Sequence, residues 1–149
     1  MQTTVRHNLF ASPKTTAHDG SRRTLWAGRV LSGLAVAFLI FDSIGKLLEV
    51  QPVIDGTIQL GYPPDIVFGL GLTLLTCVGV YLAPRTSVLG ATLLTGYLGG
   101  AVATHVRVNS PLLTHVLFPT YLAALLWGGL MLRDPGLRVF LPWHDRSWS

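Results

Sequence analysis

Four runs of apolar residues, each close to twenty long, constrain this chain more than any other feature. A hydrocarbon layer of about 30 Å is crossed by roughly 20 helical residues. Inside that layer every backbone N–H and C=O must find a partner within the protein, so runs of this length read as spanning helices. They cover residues 25–48, 65–83, 87–106 and 112–132. Half of the 149 residues are hydrophobic and only 12% are charged, about half the charged share of a soluble domain. Short connections make successive spans antiparallel neighbours. The expected fold is thus all-α, an integral membrane four-helix bundle of up-down-up-down order.

Residues 1–24 are polar without an apolar period and are expected to form a disordered tail. The membrane domain is expected over 25–142, with a second tail at 143–149. A secretory signal is the rival reading of the first span. It fails because the run after Arg22 and Arg23 is too long and no small-residue cleavage site follows. Two short interfacial helices complete the expectation. In the first loop Pro52 can open one and Gly61 close it, with Val53, Ile54, Ile58 and Leu60 as its apolar side. Near the C-terminus Asp134 can cap a second that starts at Pro135 and carries Leu137, Phe140 and Leu141, with Trp143 and Trp148 suited to the head-group layer.

Lys and Arg residues set the orientation. Arg6, Lys14, Arg22, Arg23, Arg29, Arg85, Arg133, Arg138 and Arg146 fall on the side of the termini, against Lys46 and Arg107 on the other. The positive-inside rule places both termini in the cytoplasm of a cell whose inner membrane holds the bundle. The net charge of +4 is then a topology signal and an attraction for anionic membrane lipids. Nucleic acid is excluded as a partner, because the basic residues are scattered over span ends rather than gathered into a patch. The single cysteine, Cys77, rules out an internal disulfide or a CxxC pair. No phosphate loop or nucleophile elbow is present.

The candidate functional residues gather at one end. Asp42 lies one turn inside Lys46 at the end of the first span, too short to reach the surface, so it must face the interior and pair, with Lys46 the nearest cation. Tyr62 sits in the loop, Asp65 begins the second span, His105 and Arg107 end the third, and His115 begins the fourth. All are on the non-cytoplasmic side, and a mouth with both charge signs and two imidazoles is the default ligand site. Gly96, Gly100 and Ala103 form a stripe of small residues, expected to pack helices within the bundle or between copies in a homo-oligomer. His105 is nine residues from Gly96, roughly 900° around the helix and so on the opposite face, whereas Arg107 returns to the glycine side. Pro119 should kink the fourth span. Two histidines at one end argue against haem, and no metal site is expected, because a third ligand would have to come from Asp42 or Asp65.

The segments KLLEVQPVIDGTIQLGYPP, PRTSVLGATLLTGYLGG, LLTGYLGGAVATHVRV and LLWGGLMLRDPGLRVFLP, in order over about residues 26–142, resemble the DoxX-like family of small bacterial four-helix membrane proteins. The resemblance implies a bundle with Lys46 closing the first span, a loop at Gly61 to Pro63 and the Thr104 to Arg107 segment. It also shows a departure: many relatives carry a glutamate near the position of Leu74, where this chain offers only Thr73 and Thr76 nearby. The role implied is an accessory or subunit of a membrane redox system with a membrane or redox protein as partner. Quinone is the implied ligand, and no resident cofactor is expected. Two alternatives stand beside it. One is a non-catalytic binding or assembly protein that shelters an apolar ligand or partner helix. The other is a stand-alone enzyme on a lipophilic substrate, with His105 and Asp42 as acid and base.

Overall fold

A computed structural model describes residues 17–138, and these are helical throughout apart from short connections. In chain order the helices are α1 (Ala17–Leu47), α2 (Gln51–Gln59), α3 (Val67–Leu82), α4 (Ser87–Arg107), α5 (Phe118–Arg133) and α6 (Pro135–Arg138). A 3₁₀ turn, Pro64–Ile66, leads into α3, and a wide π-type turn, Leu112–Val116, leads into α5. Among the described residues, four helical stretches are long and apolar enough to cross a membrane: Arg22–Leu47, Pro64–Leu82, Ser87–Arg107 and Leu112–Arg133. The chain is a multi-pass membrane protein. Its spanning helices close a ring in which α1 and α4 each pack against both α3 and α5.

The outer surface is oily, as lipid requires. Phe41 is 77% exposed and Leu34 63%, and on a soluble protein such a surface would drive association. Threonines on outward faces bond their own helix: Thr73 Oγ1 donates to the Gly69 carbonyl at 2.8 Å and Thr92 Oγ1 to that of Val88 at 3.0 Å. Neither hydroxyl is therefore left unpaired toward hydrocarbon. The interior is filled by Leu39, Leu74, Val78, Leu94 and Leu126, each almost fully buried.

At the end where α1 begins and α5 ends, the helices are drawn tightly together. A Cβ added at Gly129 would sit 2.8 Å from both the Gly28 carbonyl oxygen and the Ser32 nitrogen, and one at Gly28 would sit 2.8 Å from Leu132 Cβ, so α1 and α5 touch through backbone. Gly90 of α4 lies against the backbone of Tyr81 in α3. The buried Tyr81 hydroxyl donates to the Leu126 carbonyl at 3.0 Å. Having only one hydrogen, it must accept from Ser32 Oγ at 2.9 Å and from Arg133 Nη2 at 3.2 Å. One hydroxyl thereby ties α1, α3 and α5 together.

At the opposite end the chain turns through three caps of one design. Glu49, Gly61 and Asn109 have positive φ, of 49°, 81° and 52°, and each follows a helix whose last carbonyls it closes in a Schellman arrangement. After α4, Asn109 N–H bonds the Val106 carbonyl at 3.1 Å and Ser110 N–H that of His105 at 3.0 Å. After α2, Gly61 N–H bonds the Ile58 carbonyl at 2.8 Å and Tyr62 N–H that of Thr57 at 3.2 Å.

Two expectations need correction. Residues 17–24 were expected in the disordered tail but extend α1. Polarity marks where a helix leaves lipid, not where it ends, and 31 residues run about 46 Å, well beyond the apolar layer. The fourth span, expected to be irregular at Pro119, enters its helix through a widened turn. Pro119 has no N–H to donate, and in the turn before it Val116 N–H bonds the Pro111 carbonyl at 3.3 Å and Leu117 N–H that of Leu112 at 2.9 Å. The second correction concerns Gly96, Gly100 and Ala103. An added Cβ at either glycine meets nothing within 4 Å, and Ala103 is exposed. The stripe does not pack helices within this bundle, because it lies on an exposed side of α4 while Leu94 and Leu98 carry the buried side. Near the C-terminus, Asp134 Oδ1 accepts from Gly136 N–H at 2.9 Å at the start of α6. Phe140, Leu141, Trp143 and Trp148 lie outside the described residues, as does residue range 1–16.

Candidate functional site

The open end encloses a cavity of about 880 Å³. Its floor is apolar, with Phe38, Leu39, Leu98 and Leu122 and Tyr97 beside them, and its upper wall carries Asp42, Lys46, Tyr62, His105 and His115. Asp42 and Lys46 are one turn apart on α1, which aligns their side chains, and Lys46 Nζ donates to Asp42 Oδ2. The Lys46 side chain is only 15% exposed, so the pair closes on itself within the wall instead of reaching into water. Its α1 turn is fixed from behind: a Cβ on Gly71 of α3 would lie 2.7 Å from Lys46 Cβ and 3.1 Å from the Ser43 carbonyl oxygen.

The cap on α4 sets the histidine. By folding Ser110 back over the last turn, it brings Ser110 Oγ to 3.1 Å from His105 Nδ1. Nε2 is then the ring nitrogen left for a ligand. His115, exposed on the π-type turn, meets His105 edge to face with ring centroids 5.7 Å apart, and its Nδ1 lies 2.8 Å from Thr114 Oγ1. Among the described residues no cluster of three metal-ligating side chains occurs.

Tyr62 and Arg107 have a different task. The Tyr62 hydroxyl lies 2.9 Å from Thr104 Oγ1, and Arg107 Nη2 donates to the Leu60 carbonyl at 2.6 Å while its guanidinium carbon sits 5.7 Å from the centre of the Tyr62 ring. Together they latch the loop after α2 onto α4, so that α2 covers one side of the mouth. Arg107, expected among the ligand groups, is exposed and does not line the cavity. Asp65 is corrected in the same way. It is exposed on the 3₁₀ turn outside the cavity, where its charge suits the N-terminal end of α3.

Sequence reasoning missed Tyr97, Thr104 and Ser110. Tyr97 is two turns below His105 on the face that carries Ala101 and Thr104, a period that could have been followed down from the histidine. Ser110 was hidden because its partner depends on the αL conformation of Asn109. Leu74 is fully buried in the core, and Thr76 Oγ1 donates to the Leu72 carbonyl at 2.8 Å on an exposed face. Thr73 and Thr76 therefore bring no polar group to the interior in place of a carboxylate.

A model of the DoxX-like family matches residues 30–129, which takes in the cavity and most of each of the four spans. No curated protein and no solved structure gives a significant match. The chain belongs to the DoxX-like family.

Proposed function

We propose that this protein is a binding subunit of a membrane redox system that holds a quinone or similar lipophilic ring compound in the mouth of its bundle. One observation carries the reading: a single cavity joins an apolar floor to a polar upper wall of hydrogen-bond donors. That is the division a ring with carbonyl oxygens and an apolar tail requires. The volume of about 880 Å³ falls in the small-molecule range of about 300–1,000 Å³, which favours a small ligand over a partner helix. Asp42 is engaged by Lys46 rather than paired with His105, which favours binding over stand-alone catalysis by those two groups. The positive-inside count supports cytoplasmic termini and a mouth on the opposite face of the inner membrane. A reporter fused after Ser149 is then expected inside, and one inserted near Gly56 outside.

The test is a titration of the detergent-solubilised protein with a short-chain benzoquinone, followed by its tryptophan fluorescence, beside mass spectrometry of its organic extract. Saturable binding is expected, weakened about tenfold, or about 1.4 kcal/mol, in Asp42→Asn and in His105→Ala. A parent protein that neither binds the quinone nor carries a lipophilic ring compound overturns the reading.

A further inference from the structure

Resting on that reading of the cavity, we infer that its ligand enters from the bilayer, through a lateral window between α3 and α4 whose sill is Gly96 and Gly100. The inference starts from how the wall is closed elsewhere. Between α1 and α5, Phe38 and Phe118 meet edge to face with centroids 5.0 Å apart. Between α4 and the turn before α5, His105 meets His115 edge to face, and lower down Trp127 Nε1 of α5 donates to Thr95 Oγ1 of α4 at 2.9 Å. Between α1 and α3, Gly71 lets the two helices touch.

The seam between α3 and α4 differs. It is shut at the bottom, where Gly90 meets the Tyr81 backbone, and bridged at the top, where Tyr62 meets Thr104. Thr104 Oγ1 also donates to the Gly100 carbonyl at 2.9 Å, which places Gly100 one turn below the bridge on the same side of α4, with Gly96 a further turn down. Both glycines line the cavity, both are exposed, and a Cβ on either meets nothing within 4 Å. Phe38 and Phe118 also line the cavity and are exposed, but their rings close on each other, whereas Gly96 and Gly100 set no side chain across the gap. Gly96 to Gly100 spans about 6 Å of helix, and Gly100 lies about 10 Å below the end of α4 at Arg107, a depth at which the surroundings are acyl chains. A lipophilic tail can therefore leave through the window while its ring stays among the polar groups above.

The experiment compares a tailless benzoquinone with a long-chain polyisoprenoid quinone, both measured on the protein in vesicles, for the parent, Gly100→Phe, Gly96→Phe and Gly99→Phe. Gly99 has equally open space but does not line the cavity, so its variant controls for a bulky group on α4. Both substitutions at the window should weaken the long-chain compound about tenfold or more and change the tailless one by less than about twofold, with Gly99→Phe like the parent. If both compounds bind the parent and the window variants weaken both alike or neither, or if Gly99→Phe acts as they do, the window is overturned and the cavity reading stands. If neither compound binds the parent, both fall.

Discussion

In the half of the bundle where α1 begins and α5 ends, glycines join α1 to α5 and α3 to α4, whereas near the mouth Gly71 joins α1 to α3 but Gly96 and Gly100 leave the α4 wall thin. Gly28, Gly90 and Gly129 each sit where a methyl group would strike a neighbour, and around them the Tyr81 hydroxyl gathers Ser32, Arg133 and the Leu126 carbonyl. At the mouth Gly96 and Gly100 face open space, and polar side chains are spent on a cavity and its latch rather than on helix contact. The same four spans thus form a clamped base and a splayed top. Rigidity at the base, with the Gly71 contact that holds α1 to α3 at the top, lets the α4 side of the mouth stay open without the bundle falling apart. That division separates residues whose loss should unfold the protein from residues whose loss should empty it.

The largest effect should come from the base. Gly90→Ala places a methyl group against the Tyr81 backbone, which cannot move aside as a side chain would. A loss of about 3 kcal/mol is expected, read as a lowered midpoint of thermal unfolding in detergent. A variant as stable as the parent would mean that the base is not clamped at this contact. Tyr81→Phe should come next, at about 2 kcal/mol. The change keeps the ring but strands the Ser32 hydroxyl and removes the oxygen that Arg133 Nη2 reaches. Little change in Tyr81→Phe combined with Ser32→Ala, relative to either alone, would confirm that the two act through one bond.

At the mouth the costs should be smaller and local. Gly61 holds φ of 81°, so Gly61→Ala should cost about 1 kcal/mol. Its new methyl group would also press on Arg107 Nη2, 3.0 Å away, and loosen the latch on the loop. Faster amide exchange in α2 with slow exchange retained in α3 would separate this local loosening from a weakened base. Exchange that rises equally in both helices would show that mouth and base unfold as one unit.

Much of this architecture can be read from the sequence because it depends on local rules. Span length follows from bilayer thickness, and the α2 helix follows from Pro52 at its start and Gly61 at its end. The convergence of Asp42, Lys46 and His105 on one cavity follows from topology, which puts the ends of α1 and α4 on the same side. What stayed hidden depends on where helices cross. Gly28 and Gly129 are a hundred residues apart and form no motif along the chain, whereas Gly96 and Gly100 form a familiar one and touch no helix of this bundle. The Tyr81 cluster joins residues 49 and 52 positions away, and no period within a single helix reveals it. Spacing tells which residues share a face but not how far away the facing helix lies.

The smallest expected effect divides the two halves most sharply. On the packing reading of the glycine stripe, Gly100→Leu would overfill a helix contact and cost about 1–3 kcal/mol. In the structure the new side chain enters open space at the cavity's edge, so the expected change is within about 0.5 kcal/mol, the range of a substitution that disturbs no packed contact. Leu98→Ile, at a buried position on the same helix, should cost more, though less than about 1.5 kcal/mol, which reverses the order that the motif alone suggests. The measurement is the unfolding midpoint of both variants in mild detergent at two protein concentrations. A large loss in Gly100→Leu at both concentrations would mean that α4 and α3 are packed at this level and the mouth is closed. A loss confined to the higher concentration would mean that the stripe is covered by a second copy of the chain, because only an intermolecular contact responds to mass action. A midpoint that stays with the parent's at both leaves Gly100 on the wall of an open cavity, where removing a side chain admits a ligand instead of a neighbouring helix.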